Sequence, residues 1–398
     1  MSTIEASPVT VDSLIEKVHD IGPTLRENAD QGERERRLPQ PSYDALKAAG
    51  LLRLGKPSAF GGPELDPVSL MKVVEEIAYY DSAAGWNVQI SCAVSMFLAW
   101  FCDEGATEVL GADPDATLAG TLFPPGQAVP VEGGYLLSGR WPFASGSHQT
   151  TWCFGPSLVM DGDTPRTNED GSPVQILVVH RTADAEILDT WHTMGMRGTG
   201  SHDVTANDVF VPQRRTAPFV PLEEPGSAFG NPISKMALWV NIALLAPPAL
   251  GLARAALETF IDLARKKTPN YTATTLRDRS VVQSNIAKAQ AVLDSGRCYL
   301  YDCLNQGYES VSSGDPLSLE QKGNIQLATS YAIRSAADAV DLICEAAGSS
   351  AIRLEKPFER HFRDIHTMTQ HAAGSTARYE SVGKLMFGLD SDWPFFAL

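Results

Sequence analysis

The chain has 398 residues, a formal net charge of −16, 43% hydrophobic and 20% charged residues, and six cysteines. That length supports a large core and more than one folding unit, and the acidic balance excludes nucleic acid, whose binding needs clustered Lys and Arg. No apolar run is expected to span a bilayer, Met1-Ser-Thr-Ile-Glu-Ala-Ser-Pro8 shows no basic-then-apolar leader, and cysteines without a CxxC pair read as reduced thiols of a cytoplasmic protein.

From Val11 to Phe101 the pattern is helical. Leu14, Ile15, Val18 and Ile21 recur at helical spacing within a helix over 11–29, which Gly22-Pro23 is expected to kink or divide. A helix over 41–49 ends at Gly50, and Pro67 opens another that runs to Tyr80. Ser82 to Phe101 is almost wholly apolar and predicts a buried helix carrying Trp86, Asn87, Gln89, Ser91 and Ser95. Such groups either bond their own backbone or face a cavity.

Between Ala116 and Phe219 the pattern turns to short β-rich runs at 117–122, 134–137, 151–154, 174–180, 185–188 and 204–211. Asp161 to Pro173 reads as an exposed hairpin loop. After Ser227 the helix pattern returns, over 233–267, 280–306, 317–347 and 362–386, with Pro247-Pro248 expected to kink the first. The expected architecture is mostly α with a central β-domain: an N-terminal helical domain over 1–115, a middle β-barrel or sandwich domain over 116–225, and a C-terminal four-helix bundle over 226–398. Long Ala-rich bundle helices also call for partner copies.

Three stretches carry chemistry. In Trp141-Pro-Phe-Ala-Ser-Gly-Ser-His-Gln-Thr-Thr-Trp152, the rings of Trp141, Phe143 and Trp152 surround Ser145 and Ser147. A wall of flat rings with hydroxyls suits a planar, hydrogen-bonding ligand; by itself it reads equally as an aromatic β-core with a polar edge. Arg197-Gly-Thr-Gly-Ser201 offers small residues with exposed amides and hydroxyls for a phosphate or a ring edge, and as a bare motif also fits a hairpin turn. His371 falls, at helical spacing, on the face of Thr367 and Met368, with Asp364 a turn further back. An imidazole titrates near neutrality and can polarise a phenol or a peroxide; a core histidine is the plainer alternative. His148, His192 and His202 read as surface or supporting groups, and no residues have metal-ligand spacing.

The helical–β–helical order, with Gly139-Arg-Trp-Pro-Phe-Ala-Ser-Gly146, Trp191-His-Thr-Met-Gly-Met-Arg-Gly-Thr-Gly-Ser-His-Asp-Val204 followed by Val209-Phe-Val-Pro212, and Arg360-His-Phe-Arg-Asp-Ile-His-Thr-Met-Thr-Gln-His371-Ala-Ala-Gly-Ser375, resembles the acyl-CoA dehydrogenase superfamily over nearly the whole chain. The resemblance implies that Phe143 and Ser145 line the flavin ring, Ser145 bonding N5 or O4. It adds Trp86, Phe123 on the first strand, Arg197, Thr199, Ser201, Gly348 and Gln370 as cofactor contacts, and Gln89, Ser91 and His371 as substrate pocket. The glutamate with which such dehydrogenases remove a substrate α-proton falls on Ala372, and the alternative base position on Asn241. Neither can act as a base.

With His371 beside that position, the chain resembles the two-component flavin-dependent monooxygenases of the same fold. This implies reduced FAD or FMN from a separate NAD(P)H flavin reductase, O2 as co-substrate, a C4a-hydroperoxyflavin, and hydroxylation of a phenolic or other aromatic substrate with His371 and Ser145 as catalytic residues. It also implies a homotetramer. The segment Leu276-Arg-Asp-Arg-Ser-Val-Val-Gln283 lacks the aromatic and glycine of the family's adenine-contact pattern, leaving FAD versus FMN open. Oxygenation at nitrogen or sulfur, a true acyl-CoA dehydrogenase and a non-catalytic flavin-binding protein are the other readings.

Overall fold

The computed structural model describes residues 9–219 and 225–398. The stretch 1–8, read above for a leader, and residues 220–224, near the end of the expected middle domain, lie outside them. Thr10 starts α1 (Val11–Glu35) with a reciprocal capping box to Ser13, which satisfies two amides that a helix start leaves unpaired. The helix continues through Pro23, and at Gly22 it closes on Tyr80, whose ring a Cβ would meet at 2.4 Å. There follow α2 (Gln40–Ala48), α3 (Pro67–Tyr80), α4 (Ser82–Phe97) and α5 (Asp103–Leu110). Asp66 and Asp81 cap α3 and α4 by accepting the amide protons of Ser69 and Ala83.

Nine strands follow: β1 (Leu118–Gly120), β2 (Gly126–Val131), β3 (Gly134–Trp141), β4 (Trp152–Asp161), β5 (Thr164–Pro165), β6 (Gln175–Arg181), β7 (Glu186–Leu188), β8 (Asp203–Pro212) and β9 (Thr216–Pro218). They form one mixed sheet in the order β7-β8-β3-β2-β4-β6-β9, with β1 and β5 also on β4. β1 and β2 both lie parallel to β4, on successive stretches of it. β2 escaped the sequence reading because of Pro130. Only Gly126–Ala128 reach β4, so Pro130 lies past the point where a second neighbour would need its missing N–H. The sheet curls around a small core of its own, containing Ala128, Leu137, Val159 and Val178. There the Trp141 indole rests on Gly126, Gly139 and Gly155, where a Cβ would come within 3.0 Å of the ring.

The C-terminal helices are α6 (Pro232–Lys235), α7 (Ala237–Ala243), α8 (Ala246–Lys266), α9 (Ser280–Ser312), α10 (Leu319–Ala347), α11 (Pro357–Met368) and α12 (Ala377–Met386). Pro247 and Pro248 do not kink a long helix. They occupy the first turn of a new one, where a missing N–H costs nothing. Contrary to the expectation from sequence, Ala237–Lys266 is long and apolar enough by composition to cross a membrane, with a mean hydropathy of 1.5 over its apolar window. That window is 94% buried within the fold, because α7 and α8 are core elements of the bundle. α8 presses on α3 so closely that a Cβ at Gly251 would sit 2.2 Å from the Glu75 carbonyl oxygen. Arg297 of α9 clasps the buried Glu75 carboxylate with two nitrogens, and Tyr301 donates to it at 2.9 Å. The last expected helix is in fact two, and His371 lies in the break between α11 and α12 rather than on a helix.

Candidate active site

α4 sets Ser82, Trp86, Gln89 and Ala93 on one face, three or four residues apart. The buried Trp86 indole donates its N–H to Ser145 Oγ at 3.2 Å. Its ring stands edge-on to His371, with centroids 5.8 Å apart. Ser145 occupies the turn that ends β3, where Phe143 takes a left-handed φ of 60°. The Ser145 amide donates to the Phe143 carbonyl at 2.8 Å, and the Gly146 amide to the Thr199 carbonyl at 2.8 Å. Ser145 Oγ lies 2.7 Å from Ser201 Oγ, which lies 2.6 Å from Thr199 Oγ1. Thr199 in turn donates to the Met196 carbonyl at 2.8 Å.

The Met196 amide donates to Asp364 Oδ1 at 2.5 Å, and the Ser82 hydroxyl to Asp364 Oδ2 at 2.9 Å. Burial pushes the Asp364 carboxyl up to about 6, against the pull of the Met196 amide and Arg360. The loop 195–201 is therefore not the open cradle read from its small residues. It is wedged among helices: a Cβ at Gly195 would sit 2.2 Å from the Arg363 carbonyl oxygen, and one at Gly198 would sit 3.0 Å from Ala83 Cβ. Thr199 and Ser201 are buried, and their hydroxyls bond one another and Ser145.

His371 follows the end of α11, its amide donating to the Met368 carbonyl at 3.2 Å. Its Nδ1 accepts the Ala373 amide proton at 3.3 Å, which leaves the ring proton to Nε2. His371 stands exposed in the break after α11, yet the protein packed about its ring pushes the pKa down to about 4, so the imidazole is neutral at pH 7. None of the hydrogen bonds of Trp86, Ser145, Thr199, Ser201 or His371 goes to a carboxylate. Ala372, the residue at the dehydrogenase-base position, is next in the chain. Asn241, at the alternative position, donates to the Ala93 carbonyl at 2.9 Å and keeps a buried Oδ1 without a partner.

Two further amides converge here. Gln89 is fully buried with neither amide atom bonded. Gln326 of α10, missed in the sequence, donates to the Ala373 carbonyl at 2.6 Å and has a buried, unpartnered Oε1. Its only signal was a glutamine on a helical stripe shared with Gly323, Thr329, Ser330 and Ile333, which alone does not separate a cavity from a buried bond. Ser91, two residues past Gln89, falls on the opposite side of α4, and its hydroxyl accepts the Leu118 amide proton at 3.2 Å. It faces β1 rather than the substrate pocket.

The residues present fit a flavin ring. The half-open Phe143 and the Trp86 indole supply flat surfaces, and Ser145 a hydroxyl. The Asn87 amide, buried and unbonded at both atoms, lies beside Gly146, where a Cβ would approach it at 3.6 Å. Among the described residues no cluster of His, Cys, Asp and Glu could hold a metal ion.

A model of the acyl-CoA dehydrogenase N-terminal domain matches residues 17–108, and one of the C-terminal domain residues 243–376. The chain is 33% identical over 388 residues to an indole-3-acetate monooxygenase of Pseudomonas putida, covering 96% of this chain and 94% of that one. The chain belongs to the acyl-CoA dehydrogenase family, among its flavin-dependent monooxygenases. The oxygenase subunit HsaA of Rhodococcus jostii, a flavin-dependent monooxygenase, is 30% identical, with 92% of this chain and 96% of that one covered. In fold, the monooxygenase is similar to XiaF from Streptomyces sp., solved with FADH2 and glycerol, at a TM-score of 0.88 and 25% identity over 96% and 97% of the two chains.

The remaining expected contacts of the monooxygenase scatter. Trp141 faces the core of the sheet, and Trp152 lies buried under the guanidinium groups of Arg181 and Arg215. The expected single wall of rings is thus split, because the left-handed turn at Phe143 breaks strand alternation. Phe123 lies beyond β1 and is 75% exposed. Arg197 has a buried, unpartnered Nε. Gln370 lines an open cleft of about 170 Å³ with Arg334 and Thr376, and Gly348 ends α10 at the surface. His202 is buried rather than superficial, bonding the Arg36 carbonyl and the amides of Thr190 and Trp191.

Proposed function

We propose that this monooxygenase hydroxylates a small, apolar aromatic substrate bearing an O–H or N–H donor, with Ser145 at the reactive edge of the flavin and His371 facing the substrate. The observation that carries the reading is the neutral His371 imidazole against Trp86, with no carboxylate bonded into the constellation. Removal of an α-proton would need a carboxylate there. Reduced flavin, delivered as FADH2 or FMNH2 by a separate reductase, supplies oxygen activation and transfer of one oxygen atom when bound. Relatives named for indole-3-acetate and for FADH2-dependent resorcinol hydroxylation point to an aromatic ring as substrate.

The protein's own part is positioning, dryness and proton control. The buried face of α4 excludes water, which strengthens every hydrogen bond formed inside. His371 holds a proton on Nε2 and can donate it in a hydrogen bond to a nearby oxygen, stabilising negative charge that develops there. Gln89, Asn241 and Gln326 keep acceptor atoms free for the substrate's donor. Phe143 and Arg197 are assigned to the flavin. Gly348 and Gln370, on the bundle surface, are likewise assigned to the flavin, and a homotetramer is supported by the exposed Ile352, Leu354 and Phe387. Six unpaired cysteines support a cytoplasmic location.

The test is isotopic. The protein is mixed with chemically reduced FAD or FMN, ¹⁸O2 and a panel of phenols and indoles. One ¹⁸O atom per hydroxylated product is expected. If all oxygen is returned as hydrogen peroxide with every ring, the proposal fails.

A further inference from the structure

The hydroxyls of Ser145, Ser201 and Thr199 form a row between a group that only donates, the Trp86 indole N–H, and one that only accepts, the Met196 carbonyl. Each hydroxyl has one proton to give. If the row runs away from Trp86, every contact, at 3.2, 2.7, 2.6 and 2.8 Å, holds one proton. If it runs the other way, Thr199 Oγ1 and the Met196 oxygen face each other across 2.8 Å with no proton between them. The Ser145 proton is then left to the Phe143 carbonyl at 3.5 Å, the outer limit of a hydrogen bond. The first direction therefore holds. Its acceptor end is immobilised, since the Met196 amide is bound by Asp364 and its carbonyl also takes the Trp191 indole proton at 2.9 Å.

We infer that this directed row makes Ser145 a hydrogen-bond acceptor toward the flavin, so that the site selects the reduced cofactor, with Ser201 and Thr199 as positioning residues that set the direction. The inference rests on the reading of Ser145 as the residue at the flavin's reactive edge. Reduced flavin carries a proton on N5 and donates it; oxidised N5 and the O4 carbonyl only accept. With its own proton spent on Ser201 and one lone pair on the Trp86 N–H, Ser145 has one lone pair left. That lone pair meets N5–H and opposes both acceptors. Of the two partners left open by the sequence, N5 is selected and O4 excluded.

Anaerobic titration with reduced and with oxidised FAD, together with the midpoint potential of the bound flavin, tests this without turnover. The wild type should hold the reduced form at least about tenfold tighter, a rise of about 30 mV for a two-electron couple. Ser201→Ala frees the Ser145 proton. It should collapse that preference by about tenfold, the worth of one hydrogen bond, chiefly through tighter binding of oxidised FAD. Thr199→Val, which keeps side-chain volume, cuts the row one link further on and should act likewise. Ser145→Ala should also lower the preference, but by weakening reduced FAD with no gain for the oxidised form. If both row variants keep the wild-type ratio while Ser145→Ala lowers it, the inference is overturned and the placement of Ser145 survives. If Ser145→Ala changes neither affinity, that placement itself fails.

Discussion

His371 stands edge-on to Trp86, with ring centroids 5.8 Å apart and planes inclined by 64°. This contact fixes where the imidazole can reach, because Trp86 is itself held by Ser145. Replacing His371 by Asn keeps a polar side chain and removes the ring proton. Product formation should fall by roughly 10²–10³-fold, the usual worth of one positioned hydrogen-bond donor, while reduced-flavin affinity stays within a few-fold. The ratio of product to hydrogen peroxide measures this, and unchanged coupling would take His371 out of the chemistry.

The same residue predicts the pH profile. Crowding by protein lowers its pKa to about 4, so it stays neutral across the physiological range and gains a proton only in acid. Single-turnover hydroxylation should show no His371-dependent inflection between pH 5.5 and 8, and should decline as the pH approaches 4. An inflection near 6.5 that vanishes in His371→Asn would contradict this.

Gln89 is buried with its whole amide unpaired. A polar group so placed lowers stability by about 1–3 kcal/mol. Gln89→Leu should therefore raise the melting temperature of the ligand-free protein while weakening substrate binding. Calorimetry and a KM measurement check both halves. Lower stability would show that Gln89 is satisfied inside the fold and has no duty toward a ligand.

Asp364 offers a linkage test. Its folded pKa is raised from 3.8 to about 6 by burial, so the folded state binds the extra proton between those values. Stability contributed by this group is complete below about 3.8 and is lost as the pH rises through 6. Asp364→Asn keeps an acceptor for the Met196 amide and does not titrate. Its stability relative to wild type should thus improve from pH 4.5 to 7.5, by about 2 kcal/mol, the part of a shift of roughly two pKa units that falls in this window. Urea titrations at the two pH values measure it, and a difference that shrinks with pH would reverse the assignment.

Where local signals were strong, the sequence was enough. Pro67 announces the start of α3, because a proline suits a first helical turn and this depends only on near neighbours. Ser145 and His371 were singled out by the family resemblance, residue type and spacing leaving plainer alternatives open, and the structure brings both to Trp86. Ser91 was misread as pocket because an apolar helix buried on all sides shows no periodic face, so nothing in the pattern tells which polar residue points at a ligand and which at a strand. Likewise, His371 was placed on a helix that in fact stops at Met368.

Beyond what the family resemblance implied about base positions at Ala372 and Asn241, the chain alone determined the helical, β-rich, helical order and the presence of an imidazole at position 371. These follow from residue identity and from interactions between near neighbours. Only the tertiary structure decided that the loop 195–201 is a wedge rather than a cradle, that Asp364 holds it, and that three hydroxyls from two distant segments share one directed row. Those features depend on close contacts between groups as far apart in the chain as Met196 and Asp364, and hydrogen bonds select partners by distance and direction in space, which sequence spacing does not encode.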